Sequence, residues 1–298
     1  MNREHFSTEL PNPQSERLDE LAPGEAFDMM NAEDARVAMA VRAAKPEIVA
    51  ALELVTRALQ QGGRLIYCGA GTSGRLGVLD AVECPPTFQS DPAQVQAIIA
   101  GGPNAFVKAE EGAEDSREAG AREVDARELG PRDVLFGIAA GGTTPFVHGA
   151  IARARERGAR TVFFSCVPRE QASDEADVSI RVISGPEVLA GSTRLKAGTA
   201  TKLVLNMIST LAMARIGKVH GNRMVDVNTR GNAKLWQRGI GLIAGIVPCD
   251  RERAEHWLKA ADGQVKLGIV MARTGLSREA AQARLDAAGG FLRRALDR

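Results

Sequence analysis

One stretch of this 298-residue chain limits what it can become. An apolar run at Arg64–Cys68 meets Gly69-Ala-Gly-Thr-Ser-Gly74, and a helical pattern follows over Arg75–Val82. A short apolar strand feeding a glycine turn and a helix is the first half of a β-α-β unit. Such a turn aims backbone N–H groups, and the positive end of the helix dipole, at an anion. Gly69, Gly71 and Gly74 also fit the spacing G-x-G-x-x-G, which invites a dinucleotide-binding reading. That reading requires an acid at the end of the second strand, about 20 residues on, to hold the ribose hydroxyls. Here the second strand ends Ile98-Ile-Ala-Gly-Gly-Pro-Asn104, with no carboxylate. The context speaks against NAD and for a phosphomonoester, whose oxygens suit the hydroxyls of Thr72 and Ser73.

Strands and helices alternate beyond the turn. Strands are expected at Val95–Ile99, Asp133–Ala139, Thr161–Cys166 and Asp177–Ile183, with helices near Ser116–Arg127, Pro145–Arg157 and Lys196–Ala214. Apolar strands without polar alternation, separated by helices, imply an α/β fold: a doubly wound, parallel, five-stranded sheet covered on both faces. The pattern divides into an N-terminal arm and helix (1–49), the sheet domain (50–225) and a small C-terminal helical appendage (226–298). The arm, with Pro11, Pro13 and Pro23, has no helical period and is expected to lie over the body or over a partner subunit. A helix is expected to start at Asn31 to Asp34 and to stop at Pro46, and a second to run from Ile48 to Leu59. In the appendage, helical faces are expected at Ala254–Ala261, at Val265–Ala272 and behind Ser277 as a cap.

Composition removes several classes. A net charge of +1 without a Lys/Arg cluster, and 4% aromatic residues, give no nucleic-acid footprint. Cys68, Cys84, Cys166 and Cys249 are scattered, with no His at ligand spacing, so neither a metal site nor a disulfide framework is expected. The polar N-terminus lacks a secretory h-region and no apolar run nears the ~18 residues that span a bilayer, so a cytoplasmic location without membrane attachment is expected.

Two further strand-end loops repeat the glycine–hydroxyl chemistry: Ala140-Gly-Gly-Thr-Thr-Pro-Phe146, and Gly185 to Thr199 with Ser192 and Thr193. In an open α/β sheet such loops gather at the carboxyl edge, where ligands bind. The candidate phosphate-binding residues are therefore Gly71, Thr72, Ser73, Gly142, Thr143, Thr144, Ser192 and Thr193.

On these motifs the sequence resembles the sugar isomerase (SIS) domain family and, within it, the N-acetylmuramic acid 6-phosphate etherase branch. The resemblance rests on Gly69–Gly77 followed by Asp80-Ala-Val-Glu-Cys-Pro-Pro-Thr87, on Glu111-Gly-Ala-Glu-Asp-Ser116, on Gly191–Thr199 and on Gly217–Asn222. Thr8-Glu9, Asn12-Pro13, Glu33-Asp34 and Gly289-Gly-Phe-Leu-Arg293 extend it over nearly the whole chain. The second loop departs from the pattern: relatives carry Ser where Gly141 stands and Arg where Thr143 stands. In the arm, Pro11 stands where many members have Arg.

The resemblance implies cleavage of a D-lactyl ether from N-acetylmuramate 6-phosphate with water, in amino-sugar catabolism and murein recycling, without a cofactor. It implies Glu83 as proton donor to the leaving lactyl oxygen and Glu114 as a second acid/base residue at C2. Two positioned carboxylates in different protonation states suit such an elimination. It also implies a homodimer sharing its active site. Two other readings stay open: a hexosamine-phosphate aldose–ketose isomerase, and a non-catalytic sugar-phosphate-sensing regulator. Lys196 either adds charge near the phosphate or is an ordinary helix-end lysine. His220 is read as a contact or a turn residue, and His5, His148 and His256 as surface or packing residues. Trp236 and Trp257 are read as core or interface anchors.

Overall fold

A computed structural model describes residues 5–108 and 110–297, so residues 1–4 of the expected arm lie outside the described residues. The chain separates into two units: Met1–Ala81 with Ala93–Ile208, and Val82–Pro92 with Ser209–Arg298.

The first unit is built on five parallel strands, β1 (Leu65–Gly69), β2 (Val95–Ile99), β3 (Val134–Ile138), β4 (Arg160–Ser165) and β5 (Val178–Arg181), in the order β2-β1-β3-β4-β5. Helices α3 (Lys45–Gln60), α4 (Gly71–Phe88), α5 (Arg117–Ala126), α6 (Pro145–Glu156) and α7 (Lys196–Arg215) alternate with the strands. This is the α/β architecture expected from the sequence. Every residue of β1 and β3 is buried, because both faces of the sheet are covered. Alternate side chains divide between the faces. Ile66, Cys68, Leu135 and Phe163 pack with Val124 of α5 and with Val147 and Ile151 of α6. Tyr67 points the other way, stacks edge-on to Phe136 at 5.6 Å, and donates its hydroxyl to buried Asp80 of α4 at 2.9 Å.

The order 2-1-3-4-5 sends the chain outward in opposite directions from β1 and β3. Their carboxyl ends are adjacent and form the topological switch point where open sheets bind ligands. The glycine turn follows β1 and the second hydroxyl loop follows β3, so topology alone puts both at one crevice.

Local structure departs from expectation in several places. The arm contains short 3-10 turns at Pro13–Ser15 and Leu18–Glu20 and then enters α1 (Pro23–Ala35), well before Asn31. Pro23 at the first turn supplies a helical φ without needing its missing N–H. The next helix, α2 (Val37–Ala43), ends before Pro46, which opens α3 rather than merely interrupting its predecessor. Helix α4 outruns the expected Arg75–Val82 at both ends and carries Pro85 and Pro86 inside it. Each proline removes an N–H from the helix ladder and crowds the carbonyl four residues back, and the turn beyond is closed by Gln89 N–H on Pro85 O at 2.9 Å.

The arm lies over the first unit. Phe6 is buried with Val167 and Ala172, Ser7 N–H donates to Gln171 Oε1 at 3.0 Å, and Gly191 N–H donates to Thr8 O at 3.1 Å.

The second unit contains the hairpin β6 (Val219–His220) and β7 (Arg223–Met224), then α8 (Ala233–Ile246), α9 (Arg251–Ala260), α10 (Val265–Thr274), α11 (Arg278–Ala287) and α12 (Leu292–Leu296). Its core joins Val225, Ile240, Ile243, Leu258, Ile269 and Leu285, with Trp236 and Trp257 packed against it. The hairpin, α8 and α12 have no counterpart in the sequence reading. In α8, Gly239, Gly241 and Gly245 dilute the apolar period, and Gly239 is small because a Cβ there would stand 2.7 Å from Thr229 Cγ2. Among the described residues, no helix is long and apolar enough to cross a membrane.

Candidate active site

The glycine turn is tight for steric reasons. A Cβ on Gly69 would stand 2.7 Å from Gly74 N, and one on Gly74 would meet Gly69 O and Ile99 Cγ1 at 2.7 Å. Strand end and helix start therefore touch backbone to backbone. Gly71 opens α4 with φ +52°, a conformation that L side chains rarely adopt, and it faces open space. The first N–H groups of a helix have no intrahelical partner, and the first turn of α4 carries no acid to occupy them. Thr72 and Ser73 stand half-buried on that turn.

The turn lines a cleft of about 370 Å³ together with Arg75, Ala100, Glu110, Glu111 and Glu114. Arg75 Nε donates to Phe106 O at 2.8 Å, pinning the 3-10 turn Pro103–Phe106 beside the cleft. Glu114 is held by its backbone: its carbonyl accepts Phe146 N–H at 3.0 Å. Phe146 lies in the first turn of α6, just after the second loop, so one hydrogen bond ties Glu114 to that loop while the exposed residue itself lines the cleft.

In the second loop, Gly142 has φ +81° and a Cβ on it would stand 2.5 Å from Ala172 Cβ, so only glycine fits. His148 Nε2–H donates to Gly142 O at 2.8 Å and braces the loop. Its sequence reading as a surface or packing residue missed this, because nothing in the pattern marks a side chain that reaches back to a carbonyl. Thr144 occupies the N-cap of α6, yet its hydroxyl makes no cap bond. Gly141 and Thr143 are half-buried, and a Cβ on Gly141 would meet nothing within 4 Å.

The third loop carries Ser192 and Thr193, both half-buried, between β5 and α7. It adjoins the first, since a Cβ on Gly198 would stand 3.7 Å from Thr72 Cγ2 and 3.6 Å from Thr193 O. The N-terminus of α7 is already occupied. Fully buried Glu187 accepts Lys196 N–H and Ala197 N–H, each at 2.9 Å, and burial holds its carboxyl above the usual range. Lys196 fits neither sequence reading: it is 2% exposed and its ammonium pairs with Glu33 at 2.5 Å. Neither Glu33 nor Glu187 was legible as a site residue.

The structure thus brings Gly71, Thr72, Ser73, the second loop, the third loop and Glu114 into the first unit. Glu83 belongs to the segment of α4 in the second unit, where its side chain is exposed. It stands inside a helix rather than after one, which corrects the expectation that α4 ends at Val82. His220 sits half-buried in the β6–β7 hairpin, and burial with Arg293 and Arg223 nearby lowers its pKa. Among the described residues, no group of three or more His, Cys, Asp or Glu is placed to hold a metal ion.

Residues 47–155 match the family model for the glucokinase regulatory protein N-terminal SIS domain. A curated relative from Synechocystis sp., named N-acetylmuramic acid 6-phosphate etherase, is 51% identical over 295 residues, covering 99% of this chain and 96% of its own. Another of the same name, from Prochlorococcus marinus (strain MIT 9313), is 50% identical over 297 residues, covering 100% and 94%. Among solved structures, a Bacteroides fragilis protein described as a proposed phosphosugar isomerase involved in capsule formation is similar in fold. Its TM-score is 0.50 at 17% identity, covering 72% of this chain and 99% of that one.

Proposed function

Because the chain belongs to the N-acetylmuramic acid 6-phosphate etherase family, we propose that it cleaves the D-lactyl ether of N-acetylmuramate 6-phosphate, giving N-acetylglucosamine 6-phosphate and D-lactate. The observation that carries this reading is the cleft that joins the unoccupied N-terminus of α4 at Gly71 to Glu114. An anion site and an acid/base group sharing one crevice suit a phosphorylated substrate with a proton to be moved.

The chemistry follows from the substrate. In the open-chain aldehyde, the C2 proton lies α to the carbonyl and the lactyl ether oxygen lies β to it. A base takes the C2 proton, the C2–C3 double bond forms, and the C3–O bond breaks as an acid protonates the departing lactate oxygen. Water then adds at C3 and a proton returns to C2, so the net change is hydrolysis without redox. Glu114 acts at C2 and Glu83 protonates the leaving oxygen. Thr72, Ser73, Thr143, Thr144, Ser192 and Thr193, with the glycine N–H groups at 71 and 142, hold the phosphate.

The enzyme works as a cytoplasmic homodimer that takes a sugar phosphate and neither nucleic acid nor membrane. Large apolar side chains left exposed on α1–α3, at Phe27, Met39 and Val49, support a second copy as their cover. The test is D-lactate release from N-acetylmuramate 6-phosphate, measured with a coupled dehydrogenase and run in heavy water. Lactate and a product deuterated at C2 are expected. Aldose–ketose interconversion without lactate would favour an isomerase, binding without turnover a sensor, and lactate without C2 deuterium would overturn the elimination route.

A further inference from the structure

The third hydroxyl loop is held from outside by groups that the chemistry does not use. Its start is fixed at Pro186, whose carbonyl accepts Asn12 Nδ2–H at 3.2 Å. Its middle is fixed at Gly191, whose N–H donates to Thr8 O and whose α-carbon lies against the Glu9 carboxylate, 2.9 Å from where a Cβ would stand. Its end is fixed at Lys196, whose ammonium pairs with Glu33. The same Glu33 carboxylate accepts a second Asn12 Nδ2–H at 2.9 Å and pairs with Arg36 at 2.9 Å. Asn12, Glu33 and Lys196 are 6%, 4% and 2% exposed, so these links are shielded from water. Buried, charge-assisted hydrogen bonds of this kind constrain geometry strongly.

The two ends of the loop, Pro186 and Lys196, are thereby joined through a single carboxylate and a single amide, with Ser192 and Thr193 between them. Asn12 also serves its own segment, since its Oδ1 accepts Gln14 N–H and caps the first 3-10 turn of the arm. One residue of the arm therefore ties the order of the arm to the geometry of a loop 174 residues away in sequence.

We infer that Asn12 and Glu33 are positioning residues for phosphate binding: through Pro186 and Lys196 they set the loop that presents Ser192 and Thr193. The inference rests on the proposed reading of those hydroxyls as phosphate ligands. Neither residue touches the substrate, so the signature is a change in phosphate affinity with little change in the chemical step. The variant Asn12→Ser keeps an oxygen able to cap the 3-10 turn and lacks the amide that reaches Pro186 and Glu33.

Full-length Asn12→Ser and Ser192→Ala are compared with the parent for kcat, for KM toward N-acetylmuramate 6-phosphate, and for competitive inhibition by inorganic phosphate. In each, KM and the phosphate inhibition constant are expected to rise together by about tenfold, the effect of one lost hydrogen bond to a charged group. The change in kcat is expected to stay small. The double variant is expected to be no worse than the poorer single one, because both act on the same contact. Should Asn12→Ser lack a folded state by circular dichroism, Glu33→Gln gives the same readout with the side-chain shape kept. If Ser192→Ala raises both constants while Asn12→Ser or Glu33→Gln lowers only the melting temperature, the positioning role is wrong and the phosphate reading stands. If Ser192→Ala moves neither constant, the phosphate assignment of this loop falls and the positioning role falls with it.

Discussion

Glu114 lines the cleft with its backbone already anchored, so replacing its carboxylate leaves the hydrogen bond that holds its loop. Glu83, on the exposed side of a continuous helix, can likewise lose its charge at little structural cost. Glu83→Gln and Glu114→Gln are each expected to lower kcat by about 10²–10⁴-fold, the usual contribution of a positioned acid or base. Binding of the sugar phosphate, measured by calorimetry, should be retained. A variant that releases lactate at nearly the parental rate would take that residue out of the mechanism. Both glutamates could be picked out in the sequence only through their motifs, since one sits in an acidic run and neither has a distinctive period. His148, Glu187 and Glu33 were hidden for a physical reason. Each acts on a backbone group or a cation that folding brings to it, and a Glu33–Lys196 pair separated by 163 residues leaves no local trace.

At the scale of elements, strand–turn–helix order was legible because sterics dictate it. Gly69 and Gly74 are compelled by backbone contact, and the apolar strands by burial on both faces. Boundaries were less legible where helix ends depend on tertiary support, as where α4 runs through Pro85 and Pro86. The second loop offers the sharpest element-level test, because Gly141 and Gly142 are neighbours with opposite constraints. A Cβ at 141 meets nothing, whereas one at 142 would strike Ala172 in a left-handed conformation. The double change Gly141→Ser, Thr143→Arg adds a hydroxyl and a cation to this loop. It is expected to lower KM by up to about tenfold, the scale of one added charge-assisted hydrogen bond to phosphate. Gly142→Ser is expected to cost about 1–3 kcal/mol of stability from strain and overpacking, and to raise KM. Equal tolerance at 141 and 142, measured by melting temperature and KM, would mean that the loop is not held as described.

Across the whole molecule, the two units differ in how they are tied together. The first is laced by carboxylates bound to cations and N–H or O–H donors, with Glu33 on Lys196 and Asp133 on Arg64 reaching across distant parts of the sequence. Burial raises the carboxyl of Glu33, but Lys196, Asn12 and Arg36 outweigh it and hold it below its ordinary value. The same balance lowers Asp133 through Arg64 and Gly130, Asp174 through Ser179, Ala176 and Arg181, and Asp177 through Thr161 and Arg160. In the second unit, the only comparably lowered carboxyl among the described residues is Glu279, an exposed group at the start of α11, and the core is apolar. A carboxyl with a depressed folded pKa stabilises fully above its unfolded value, about 4 for Asp and Glu. That contribution is lost as pH falls through the lower folded value, because the native state must then take up the proton. Glu187 has the opposite sign, being relieved by protonation, and offsets part of the loss. His220 in the second unit works against that unit in acid, since its lowered folded pKa costs stability as pH falls below about 6.5. It is one group against these four carboxyls, so the first unit is expected to unfold in acid before the second, starting below about pH 4. The chain carries its own reporters for this: its single tyrosine, Tyr67, lies in the first unit, and both tryptophans, Trp236 and Trp257, lie in the second. Second-derivative absorbance of Tyr67 should shift at a higher pH than the tryptophan fluorescence, a departure from two-state behaviour. Coincident transitions by the two probes would show that the units unfold as one, and that these ion pairs do not set the acid limit of the first.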